Sequence, residues 1–190
     1  FNNRAVFFKG TGQQDVSGSG LNIPYVVSDK PSGSIRLLSD LTVEGPNGGN
    51  AMTLSNATDI LNLNGKTLTL GKVGVTSTLA GNGFIKGSAT SSLSILGTGN
   101  LGTINFDQTT PGTTNQLQNL TIDRTLTGLV TLGNALKVVG TLTLTEGTFT
   151  VGANTFTYSG TNITRTNGVI DARDRKSTRL NSSHSSVSRM

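Results

Sequence analysis

The chain has 190 residues, of which 13% are charged and 33% apolar, with 25 Gly, no Cys and no Trp. That length supports one sizeable core, the absence of Cys excludes a disulfide framework or a thiolate metal site, and no apolar run approaches a membrane span. The net charge of +5 and the pI near 9.9 would ordinarily point to an acidic partner such as nucleic acid, but most of that excess lies in residues 174–190.

The chain opens at Phe1, with no initiator Met and no charged-then-apolar leader. It reads as a fragment whose start, with any export signal, lies upstream. Its apolar content is low but patterned, which argues against disorder. In chain order, Lys9-Gly-Thr-Gly12 recurs as Leu96-Gly-Thr-Gly99, at an offset of 87. Asp40-Leu-Thr-Val-Glu-Gly45 recurs as Ala135-Leu-Lys-Val-Val-Gly140, at an offset of 95. LNLNGKTLTL (61–70) recurs as FTVGANTFTY (149–158), at an offset of 88. These offsets predict two long β-solenoid repeats, 1–90 and 91–173, that differ by one short unit.

Within 61–70, Asn64-Gly65 between alternating runs is also a strong hairpin signal. It keeps an antiparallel β-sandwich open as the alternative architecture. GNGFIKG (81–87) has the glycines of a phosphate loop, but no Lys-Ser/Thr pair and no helical pattern follow. It reads as a corner between strands.

The last third carries the most regular pattern. It divides into GTLTLTE (140–146), GTFTVGA (147–153), NTFTYSG (154–160), TNITRTN (161–167) and GVIDAR (168–173). Strict alternation of apolar and Thr residues is the signature of a half-buried strand, and the Gly, Asn and Ala between runs permit bends. The pattern predicts that Leu142, Leu144, Phe149, Val151, Phe156, Ile163 and Ile170 point inward. Thr141, Thr143, Thr148 and Thr150 should point outward. Three such sides make a triangular coil of about 21 residues, and stacked coils bury what a single strand cannot. The expected fold is therefore all-β, a right-handed parallel β-helix (β-solenoid) of six to eight coils, with minimal helix.

GTLTLTEGTFTVGANTFTYSG (140–160), preceded by LQNLTIDRTLTGLVTLGNALKVV (117–139), resembles the β-strand repeats of secreted, adhesin-like surface proteins of Bacteroidota. Phe7-Phe-Lys-Gly-Thr-Gly-Gln-Gln14 is similar to the motif that opens such repeats, while 46–60 and 100–116 fit least well. Those proteins are large and often leave the cell through the type IX secretion system by means of a C-terminal sorting domain, which is not among these residues. The resemblance implies a structural or adhesive segment, extracellular or on the cell surface, without catalysis. Its expected partners are glycans or cell-surface components and adjoining repeats of the same chain, with no nucleic acid and no membrane insertion.

Chemistry is hard to find in the residues. The body holds nine carboxylates: Asp15, Asp29, Asp40, Glu44, Asp59, Asp107, Asp123, Glu146 and Asp171. Glycoside hydrolysis needs two of them facing across a cleft, and no such cluster is visible. A carbohydrate-active β-helix enzyme stays as an alternative, with Asp107 and Asp123 as the acids to test. Asp123-Arg124 itself reads as a solvated charge pair at a corner. Gly48-Gly-Asn50 lacks the repeated Asp of a calcium-binding solenoid. No catalytic, cofactor-binding or metal-binding residue is assigned, and no cofactor is expected.

The Thr-x-Thr pairs at 67/69, 141/143, 148/150 and 155/157 raise a second alternative, a glycan- or ice-binding solenoid module. Ice binding needs one pair per coil on a single flat face. Consecutive pairs here should fall on consecutive sides of a coil, so they are expected to be ordinary polar surface. The Asn-x-Ser/Thr triplets at Asn56, Asn119 and Asn162 are expected by chance.

The tail differs in kind. Back-translated, Asp174 to His184 reads as a common short-read sequencing adapter, which resumes at Ser188-Arg189-Met190 after a variable gap. Residues 174–190 are thus expected to be adapter read-through, disordered and non-native, with the natural chain continuing past about Arg173. Removing Arg175, Lys176, Arg179 and Arg189 together with Asp174 lowers the net charge from +5 to +2. The one His of the sequence, His184, goes with them.

Overall fold

Short runs of alternating apolar and hydroxyl residues expose one apolar side, which only an equivalent run stacked above or below can cover. A computed structural model describes residues 4–125 and 127–172, and the tail at 174–190 lies outside them. The described residues form 22 strands and no helix. Every pairing among these strands is parallel. The chain is a β-solenoid of about seven turns, which excludes the antiparallel sandwich.

Each turn has three sides. The first face runs from Ala5–Lys9 through Tyr25–Asp29, Gly49–Leu54 and Ser77–Gly81, then continues as Gly102–Ile104, Leu129–Leu132, Thr148–Thr150 and Val169–Asp171. The Leu79 N–H donates to the Leu101 carbonyl at 2.6 Å across the join. The second face carries Gln14–Val16, Ile35–Leu37, Ile60–Asn62 and Phe84–Lys86, then Gln116–Leu117, Leu136–Val138 and Phe156–Tyr158. The third is one unbroken seven-stranded sheet: Leu21–Ile23, Leu41–Val43, Thr67–Leu70, Ser92–Thr98, Asn119–Thr125, Thr141–Glu146 and Asn162–Arg165.

Stacking in register turns the alternating pattern into columns. Behind the third face, Leu41, Leu68, Leu93, Leu120 and Leu142 form one buried file, and Val43, Leu70, Ile95, Ile122 and Leu144 form the next. Phe149 and Phe156 meet edge to face at 5.3 Å where the first and second faces turn toward each other, a favoured aromatic geometry. Leu142, Leu144, Phe149, Val151 and Phe156 are buried as expected, and Thr141, Thr143, Thr148 and Thr150 face outward.

Ile163 and Ile170 correct the expectation. Both hold the right register, Ile163 beside Leu142 and Ile170 beside Phe149. Yet they are 50% and 40% exposed, because no described coil lies beyond theirs. Inward direction comes from the strand; burial comes from the neighbouring coil.

The coils are less uniform than a fixed beat of seven. Leu21, Leu41, Leu68, Leu93, Leu120, Leu142 and Ile163 are equivalent, so successive coils take 20, 27, 25, 27, 22 and 21 residues. Only the last equals three sevens, and the first and fifth differ from it by one residue. The segments 46–60 and 100–116 fall within the two longest coils. The matched segments 61–70 and 149–158 run over different sides, the first from the second face to the third and the second from the first to the second. What they share is a strand–corner–strand unit. Asn64 and Gly65 do have the left-handed backbone of a tight turn, φ +49° and +76°, but they turn the chain between two faces instead of folding a hairpin.

Candidate functional site

Four arrangements on this scaffold bear on function: two buried cations, a buried carboxylate, the surface acids, and the outer array of the third face. Arg124 continues the inward alternation of Leu120 and Ile122 and is fully buried. Its Nε donates to Gly99 O at 2.9 Å, its Nη1 to Leu96 O at 2.7 Å, and its Nη2 to Ser77 O and Thr98 O. Burial pushes its pKa below the usual guanidinium value. The planar fork satisfies carbonyls left free where three coils turn. The expectation of a solvated Asp123–Arg124 pair is therefore overturned: Arg124 faces the core, and Asp123 faces out beside Glu146 of the next coil.

Lys30 is likewise buried. Its Nζ donates to Gly10 O at 3.0 Å and Gln14 Oε1 at 2.9 Å. Asp59, also buried, accepts from Ser28 Oγ at 2.6 Å, the Lys30 N–H at 2.8 Å and the Asn56 N–H at 2.7 Å. These three groups brace corners and reach no open surface.

The remaining acids are spread over the coils. Asp15 takes a bidentate contact from Arg36 at 3.0 and 2.7 Å, and those hydrogen bonds hold its carboxyl below the usual range. Glu44 is lowered first by a hydrogen bond from Asn22 and then by Lys72. Asp40 accepts from the Thr67 N–H at 2.8 Å. Asp107 is buried at the root of a long corner, where it accepts from the Thr109 N–H and hydroxyl at 2.9 and 2.8 Å. One shallow groove is lined by Gly18, Leu21, Asn22, Asp40 and Thr42, and another by Phe84, Asp107, Gln108 and Thr109. Asp123 and Glu146 line neither. Asp107 and Asp123 thus share no depression. Asp123 and Glu146, 23 positions apart in sequence, meet across neighbouring coils.

No family model, curated protein or solved structure matches this chain. The arrangement must be read from its own geometry.

The outer side of the third face carries a regular array. Thr42, Thr69, Ser94, Thr121, Thr143 and Thr164 follow one another in register on six successive coils. Beside them, two residues along each strand, lie Thr67, Ser92, Asn119, Thr141 and Asn162. The pairs at 67/69 and 141/143 are therefore on one face, joined by Ser92/Ser94, Asn119/Thr121 and Asn162/Thr164. Only 148/150 and 155/157 fall on other faces. The consecutive pairs 141/143, 148/150 and 155/157 do fall on three successive sides, as expected; the expectation left out that 67/69, from another coil, shares the third face with 141/143. Thr residues alone do not reveal the array, because Ser and Asn fill the intervening coils.

Proposed function

We propose that this chain is a non-catalytic structural or adhesive repeat segment of a larger secreted or cell-surface protein. The observation that carries the reading is the continuous parallel ladder. Nearly every described residue is spent on strand or corner, the buried polar groups brace corners, and the ladder ends on rungs that further coils could extend. Repetition of this kind supplies length and display surface without a reaction centre. Adjoining repeats of the same chain would cover Ile163 and Ile170, and glycans or other cell-surface components would meet the lateral faces. The resemblance of 117–160 to Bacteroidota surface repeats supports the same placement.

The adjacency of Asp123 and Glu146 favours one competing reading, a carbohydrate-active enzyme. The two residues lie on neighbouring strands, about 4.8 Å apart at the backbone, and a glycosidase would need their carboxyl groups to flank one scissile bond. Incubating the purified chain with a panel of polysaccharides separates the two. Binding to glycans or cells without turnover is the expected result. Hydrolysis that disappears in Asp123→Asn, Glu146→Gln or Asp107→Asn would replace the proposal with the enzyme.

A further inference from the structure

We propose that the outer side of the third face is an ice-binding surface. The inference rests on the geometry of that face alone and stands or falls independently of the surface-protein reading. The array is two-dimensional: rungs repeat at about 4.8 Å across the coils, and paired side chains stand about 6.6 Å apart along each strand. Oxygen rows on the surfaces of hexagonal ice repeat at similar intervals in two directions, so one set of positions can engage many lattice sites at once. The sole register shift in this sheet falls after Ile122, beyond both columns.

Three further observations bear on this face. First, its two columns from Thr67 to Thr164 contain no charged residue; Asp40 precedes Thr67 in its column, and Asp123 and Glu146 lie one outward position further along their strands. The equivalent outer column of the second face carries Asp15, Arg36, Asn62 and Lys86, and further along Lys137. Ions and charged side chains hold their own hydration shells and do not fit a neutral water lattice. Second, the hydroxyls of Thr42, Thr69, Ser94, Thr121, Thr143 and Thr164 have no hydrogen-bond partner among the described residues. In the neighbouring column, Ser92 Oγ accepts from the Asn119 amide at 3.1 Å and Asn119 Oδ1 from the Thr141 N–H at 2.9 Å. The ladder hydroxyls remain available to anchor water, while the Thr methyl groups between them favour an ordered water layer. Third, the face has no aromatic side chain. Tyr25 lies on the first face and Tyr158 on the second, which leaves the third without the stacking platform that sugar rings favour. Crystalline water suits it better than polysaccharide.

The test uses the full chain. Fluorescently labelled protein is placed around a growing ice hemisphere, and crystal habit and the gap between melting and freezing points are recorded in the same sample. The expected result is incorporation into the ice, faceted growth and a measurable gap, all insensitive to moderate salt. Thr121→Lys and Thr143→Lys, outward changes on the array, should lose incorporation and the gap while keeping the β-sheet circular dichroism spectrum. Thr157→Lys, the same change on the second face, should keep both. Exclusion of the unmodified chain from ice overturns the proposal, and so does equal loss in Thr157→Lys. Retention on insoluble cellulose or chitin combined with exclusion from ice also overturns it and transfers the face to polysaccharide.

Discussion

Arg124 shows how one side chain can decide whether several coils hold together. Its guanidinium meets carbonyls of Ser77, Leu96, Thr98 and Gly99 from the coils before it. An unpaired buried carbonyl costs about 1–3 kcal/mol, so Arg124→Met should destabilise the chain by more than about 3 kcal/mol. Arg124→Lys should fare little better, because a single ammonium cannot reproduce the fork. Urea unfolding of the two variants checks this, and a Lys variant of unchanged midpoint would refute the bracing role. Leu144→Asp places a charge at the buried last member of an aliphatic file and should cost several kcal/mol. The surface acids act more gently. The pKa of Glu44 is lowered from its ordinary 4.5 in the folded state. Its contribution is therefore present above that value and lost as pH falls through the folded one. Comparing urea midpoints at pH 6 and at progressively lower pH should show a smaller acid loss in Glu44→Gln than in the unmodified chain.

At the scale of the strand and its corner, the constraint is the close approach of successive coils. Gly10 and Gly81 have nearly the same backbone, φ +88° and +91°. A Cβ at Gly10 would meet nothing within 4 Å, whereas at Gly81 it would lie 1.9 Å from the carbonyl oxygen of Leu54. Alanine at either position bears the left-handed cost of about 1–2 kcal/mol. Gly81→Ala should add a substantial further loss, since backbone of the preceding coil cannot step aside. Thermal unfolding of the two variants isolates the stacking contribution; equal shifts would show that conformation alone governs both corners.

The whole molecule behaves as a one-dimensional stack, in which each coil is stabilised by its two neighbours. The central coils should therefore exchange their amides most slowly, and the outermost coils should open first. Apolar side chains exposed on these outer coils are the accompanying hazard: Phe7 is 60% exposed, Ile163 50% and Ile170 40%. Strand edges presented with such residues favour association with another chain. The double variant Ile163→Thr, Ile170→Thr should reduce concentration-dependent light scattering with little loss of stability. Leu120→Thr, in a buried central file, should instead lower stability by a few kcal/mol.

Period-two alternation is local, so the strands of the last third, their inward faces and the absence of helix could be read directly from residues such as Leu142, Leu144 and Phe149. The parallel stack followed from the repetition, since short strands of one apolar side need covers. What the pattern could not reveal was coil length. Corners of variable size make coils of 20 to 27 residues, and coil length decides which strands share a face. That is why the Thr, Ser and Asn pairs of the third face emerged only in the fold, as did the meeting of Asp123 with Glu146. Arg124 was illegible for the same reason. Alternation points it inward, but the carbonyls that make a buried guanidinium tolerable come from up to 47 residues away. Local chemistry chose strand and direction; only stacking chose neighbours, and neighbours determine burial, bracing and surface.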